Sequence, residues 1–64
     1  AEWSMEEALR MALRFEKENF EEYEKNAGET SNPGVKSMFR FLADEERRHM
    51  DLITDMMRRF HVEP

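Results

Sequence analysis

Glu46 and His49 stand three residues apart in a run, Glu46-Arg47-Arg48-His49, that falls where a helix should be apolar. Val35, Phe39, Leu42, Glu46, His49, Ile53, Met56 and Phe60 recur at alternating spacings of four and three, the signature of a helix seam packed in a bundle. Six of those eight positions are apolar; the other two carry a carboxylate and an imidazole. The first half of the chain has a matching seam, Leu9, Leu13, Glu16, Phe20, Tyr23 and Ala27, again interrupted by one carboxylate, Glu16. Ionisable groups on buried seams persist only when paired or bound to a metal, so Glu16, Glu46 and His49 are the candidate metal ligands. Glu46 and His49 project to one helix face and can grip one ion, with Glu16 reaching it from the facing helix. The competing reading is a buried Glu-His hydrogen-bond network, and pairing of Glu45 with His49 is a lesser alternative because Glu45 lies off the seam.

Two helices must position these groups. Ser4 with Glu7 three residues later forms a capping-box pattern, so the first helix is expected from about Met5 to Ala27, with Gly28 in the left-handed position that ends it. Asn32 before Pro33 reads as a cap with proline at the first helical position, opening a second helix that runs to about Phe60 and leaves His61 to Pro64 as a frayed tail. At 1.5 Å per residue, Glu16 lies roughly 16 Å from the turn, Glu46 roughly 20 Å and His49 roughly 24 Å. An antiparallel hairpin therefore brings all three to similar heights.

Sixty-four residues make a single domain, expected here to be one all-α, antiparallel two-helix hairpin spanning residues 1–64. A chain of this size buries only about 60% of its unfolded surface, and it contains no cysteine for a disulfide, a thiolate zinc site or an iron-sulfur cluster. Its stabiliser is expected to be metal, self-association or both. Ala43, Met50 and Met57 form a further apolar row beside the second seam, and Met11 with Phe15 flanks the first, so the hairpin reads as half of a four-helix bundle completed by homodimerisation. Two chains offer four glutamates and two histidines, whose four negative charges match two divalent cations. Oxygen-rich ligands with one imidazole per metal suit iron or manganese, and zinc also fits.

A net charge of −5 disfavours nucleic acid and anionic membranes as partners. No apolar stretch has the length of a membrane span, and the chain reads as cytoplasmic. Arg40 with Asp44, Glu21 with Lys25, and Asp55 with Arg59 are expected as surface pairs one helical turn apart. Arg47 and Arg48 read as surface charges, Trp3 as packing near the helix start, and the six methionines as adaptable packing.

The run Ala12-Leu13-Arg14-Phe15-Glu16 with Phe20 and Tyr23, followed by Phe41-Leu42-Ala43-Asp44-Glu45-Glu46-Arg47-Arg48-His49, resembles the first helical hairpin of rubrerythrin-like members of the ferritin-like superfamily. That resemblance implies Glu16, Glu46 and His49 as ligands of two iron ions per dimer and Tyr23, otherwise a core aromatic, as a hydrogen-bond donor behind them. Rubrerythrins carry a second helical pair and commonly a four-cysteine rubredoxin domain, neither of which lies in these 64 residues. A half-length hairpin that builds its site across a dimer is similar to the encapsulated ferritins, although nothing after Phe60 resembles their shell-targeting segment. The implied activity is oxidation of Fe(II) by dioxygen or hydrogen peroxide, a ferroxidase, or a peroxidase served by an external reductase; a location within a protein compartment would follow from a shell partner. A non-catalytic helical dimerisation module is the reading from another class.

Overall fold

The computed structural model describes residues 2–63. Helix α1 spans Met5–Glu29 and helix α2 spans Pro33–Arg59, packed as an antiparallel hairpin of 42 × 23 × 14 Å with no strand among the described residues. Among the described residues, no helix is long and apolar enough to cross a membrane.

The caps that begin both helices follow from side chains placed to satisfy orphan backbone donors. At α1 the Glu7 amide donates to Ser4 Oγ at 3.1 Å and the Ser4 amide donates back to Glu7 Oε1 at 3.2 Å, a reciprocal capping box. At α2 the Asn32 Oδ1 accepts from the Gly34 and Val35 amides at 2.9 and 3.1 Å, with Pro33 at the position where a missing N–H costs nothing.

The ends differ from expectation. Gly28 does not terminate α1: the helix continues through it to Glu29, and Thr30 ends the helix in extended conformation while its amide donates to the Asn26 carbonyl. With the chain leaving extended rather than left-handed, the glycine's conformational freedom is not needed. The segment expected to fray after α2 is instead a Schellman closure. His61 takes φ 55°, its amide donates to the Arg58 carbonyl at 3.2 Å, and the Val62 amide reaches back to the Met57 carbonyl at 2.8 Å. Val62 is thereby half-buried beside the fully buried Met57, and Arg10 Nε on α1 donates to the Glu63 carbonyl at 3.2 Å. Pro64, also assigned to that tail, lies outside the described residues, as does Ala1.

Packing corrects the second seam. Helix α1 buries the expected row, with Leu9 and Ala27 fully enclosed and Leu13, Glu16, Phe20 and Tyr23 half-buried. On α2 the enclosed residues are Ala43 and Met57 of the flanking row; Val35, Phe39, Leu42, Glu46 and Ile53 of the expected seam are half-buried, while His49, Met56 and Phe60 turn outward. The buried face of α2 is therefore centred between the two rows, an orientation that packing against α1 sets and periodicity does not. Leu9 and Met57 are the only long side chains fully enclosed among the described residues, each contributing about 1.5–3 kcal/mol. Meanwhile Met5, Phe15, Met38, Phe41, Leu52, Met56 and Phe60 remain exposed, so the hairpin leaves much of its apolar surface open.

Surface ion pairs also differ in partner. Asp55 pairs with Arg58 at 2.7 Å rather than with Arg59, Arg48 pairs with Glu45, and Arg10 pairs with Glu6 at 2.8 Å. Neither Arg40–Asp44 nor Glu21–Lys25 forms a pair among the described residues. All three observed pairs are solvent-facing and worth little individually. Trp3 is mostly exposed and lines an open cleft with Glu7, Arg10, Met11 and Arg14.

Candidate metal centre

Glu16 lies at the middle of α1, on the face that α1 turns toward α2, and Glu46 lies directly across the hairpin on α2. His49 follows Glu46 by nearly one helical turn and so leans to the same side. The antiparallel packing joins them: His49 Nδ1 is 3.3 Å from Glu16 Oε2 and 4.0 Å from Glu46 Oε1. One ligand-type atom from each of the three residues falls within 4.8 Å of the others.

Burial is graded across the cluster. The Glu46 side chain is 14% exposed, Glu16 25% and His49 48%, so the carboxylates sit between the helices and the imidazole stands at the rim. At 3.3 Å the His49–Glu16 contact is a long hydrogen bond, donated by the ring when Nδ1 carries the proton. The Glu46–His49 separation of 4.0 Å is beyond hydrogen-bond range.

The other oxygen of Glu46, Oε2, is buried without any hydrogen-bond partner. A carboxylate oxygen in that state costs about 1–3 kcal/mol or more, and a self-sufficient Glu-His network would have satisfied it. The oxygen is a hard acceptor withdrawn from water, beside a second carboxylate and an imidazole nitrogen. That donor set fits a divalent cation such as Fe(II), Mn(II) or Zn(II), with oxygen ligands dominating.

The expected neighbours of the site are placed as follows. Tyr23 is two helical turns beyond Glu16, its ring 6.2 Å from that of Phe39, and its hydroxyl makes no hydrogen bond to the carboxylates within the hairpin. Glu45 is held by Arg48 and does not join the cluster. His61 closes the C-terminal end of α2, remote from the cluster. One contact was not anticipated: the Arg47 guanidinium lies 5.2 Å from the Phe20 ring centroid. Its signal in the sequence is faint, an arginine next to Glu46 and an aromatic one turn after Glu16.

No curated protein and no solved structure matches this chain. The family model described as Rubrerythrin matches residues 6–64, all but the first five residues, and therefore takes in both helices and every member of the Glu16-Glu46-His49 cluster. A half-buried pair of glutamates with a histidine at its rim is thus found within a match that covers nearly the whole hairpin, and the chain belongs to the rubrerythrin family.

Proposed function

We propose that this hairpin supplies half of a dinuclear carboxylate centre, completed by a second copy of the chain, and that the assembled centre oxidises Fe(II) with dioxygen or peroxide. The observation that carries this reading is the buried, unpartnered Glu46 Oε2 converging with Glu16 and His49. Family membership supports iron as the metal.

One chain offers three ligands, fewer than an octahedral ion requires. The His49 rim is where a second chain would meet the first, because the same side of α2 exposes Met38, Met56 and Phe60, and the neighbouring side of α1 exposes Phe15. Covering those side chains would bury the apolar surface the lone hairpin leaves open. In the pair, four glutamates and two histidines would hold two divalent ions with the carboxylate charge balanced.

The residues divide the work. Glu16 and Glu46 provide the negative charge and hard oxygens; His49 provides a neutral nitrogen on the accessible side and sets where a cation first meets the protein. The half-buried Phe20, Leu42 and Ile53 around them keep bulk water back, which strengthens charge interactions inside. Bound iron would supply the redox chemistry toward dioxygen or peroxide. The ferroxidase reading treats Fe(II) as substrate that leaves once oxidised. The family match also favours a peroxidase reading, in which re-reduction would draw on a reductant from outside these 64 residues, since they contain no cysteine.

Anaerobic Fe(II) titration of the metal-free protein, with oligomer mass recorded throughout and oxygen admitted afterwards, tests the proposal. Saturation at one iron per chain, with dimer formation and rapid growth of ferric absorbance, is the expected result. Absence of iron uptake with unchanged mass would overturn it in favour of a non-catalytic helical module.

A further inference from the structure

Glu46 has unequal flanks. Arg47 and His49, two residues apart, point about 160° away from one another around α2, so they stand on opposite sides of the carboxylate. On α1, Phe15 and Phe20 are about 140° apart and likewise flank Glu16. Phe15 is exposed and His49 half-exposed on one flank; on the other, Phe20 is half-buried beneath the Arg47 guanidinium at 5.2 Å, within the range of a cation-π contact.

This contact bridges the helices at the height of the carboxylates. Phe20 is one turn beyond Glu16 and Arg47 is the residue after Glu46, so fixing guanidinium to ring fixes the separation and rotation of the two backbones that carry the ligands. The contact lies on the flank opposite His49, and Glu46 is the most enclosed of the three. Arg48, one residue further on, has no such role: it pairs with Glu45 on its own helix.

We propose that Arg47 is a positioning residue for metal capture, clipping α2 to α1 through the Phe20 ring so that Glu16 and Glu46 are held at ligand distance and the centre opens only on the His49 side. The inference rests on the proposed metal centre. A guanidinium is suited to this because its planar, weakly hydrated face lies flat on an aromatic ring, where an aliphatic side chain would provide contact but no directed attraction.

Co(II) binding to the metal-free chain is the test, followed by affinity and by the visible ligand-field spectrum, at a temperature where helical ellipticity matches the unaltered protein. Arg47→Met keeps the stem and removes the cation; Phe20→Leu keeps an apolar side chain and removes the ring. Each is expected to weaken Co(II) binding roughly tenfold, the size seen when groups that orient ligands are removed, and to alter the spectrum. Phe20→Trp, which retains an aromatic face, should stay close to the unaltered protein, and Arg48→Ala should leave binding unchanged. Affinity and spectrum unaltered in Arg47→Met and Phe20→Leu would overturn the clip while leaving the metal centre standing. Failure of the unaltered protein to take up Co(II) would instead overturn the centre, and the clip with it.

Discussion

Replacing Glu46 by leucine separates a ligand from a structural polar group. In the hairpin Glu46 is 14% exposed, its Oε2 is buried without a partner, and its Oε1 lies 4.0 Å from His49 Nδ1, too far for a hydrogen bond. Removing an unsatisfied buried oxygen recovers about 1–3 kcal/mol, and the weak attraction between Glu46 and His49 that disappears with it is worth no more than about 1 kcal/mol. Leucine is similar in reach and places apolar surface between Leu42 and Ile53. The net expectation for Glu46→Leu is a metal-free protein more stable by about 1–2 kcal/mol, which in a domain of this size raises Tm by about 4–8 °C for each kcal/mol. Urea and thermal unfolding followed by circular dichroism in chelator, at fixed protein concentration, measure this, and the same variant should bind no metal. Both transitions must be compared at one concentration because the proposed dimerisation would make apparent stability concentration-dependent. A Glu46→Leu protein less stable than the original in chelator would contradict the expectation, since it would mean that Glu46 is held by interactions the fold depends on.

Other expectations follow from the same geometry. His49→Ala should abolish high-affinity metal binding while changing metal-free stability by no more than about 0.5 kcal/mol, because the ring is half-exposed and its single hydrogen bond is long; calorimetric metal titration beside urea unfolding checks both. His61→Gly should stabilise by roughly 1 kcal/mol, since His61 holds φ 55° where a side chain is strained and glycine is not; a lowered unfolding midpoint would count against it. Hydrogen bonding to the Ser4 side chain, then to the Ser4 backbone, holds the Glu7 carboxyl below its ordinary range, so the unfolded chain binds the proton more readily. Glu7 therefore adds stability that is fully present above the ordinary glutamate range and fades as pH falls through the lowered folded value. The stability gap between the original protein and Glu7→Gln should shrink on acidification from about pH 7 toward about pH 3, and a gap that widens would sink the assignment.

The local signals in this chain were legible because they act over three or four residues. Ser4 with Glu7 and Asn32 with Pro33 mark the helix starts through hydrogen bonds that a short window contains. The four-three spacing around Glu16, Glu46 and His49 identified two helices and the groups that interrupt their apolar seams. Helix ends were less legible. Gly28 stays inside α1 and His61, expected in a frayed tail, takes a positive φ at the end of α2, because whether a chain leaves a helix extended or left-handed depends on where it must go next. At the C-terminal end the closure is anchored by Val62 beside Met57 and by Arg10 across the hairpin, a contact between residues far apart in sequence.

Residue types and periodicity were enough for the all-α hairpin, its boundaries to within two residues, and the identity of the three clustered groups. Rotation was left to the packing of one helix on the other. Two apolar rows on α2, one through Phe39, Glu46 and Ile53 and one through Ala43, Met50 and Met57, are nearly equivalent by periodicity, and either could face α1. Packing centres the contact between them: Ala43 and Met57 are enclosed, while the Phe39 ring lies near Tyr23 and Glu46 meets Glu16 and His49. That rotation leaves His49 at the rim, withdraws Glu46 Oε2 from water, and sets the Arg47 guanidinium over the Phe20 ring. Spacing along a helix says which side chains share a face; how far that face turns toward a neighbour is set by the volumes of the side chains that meet there.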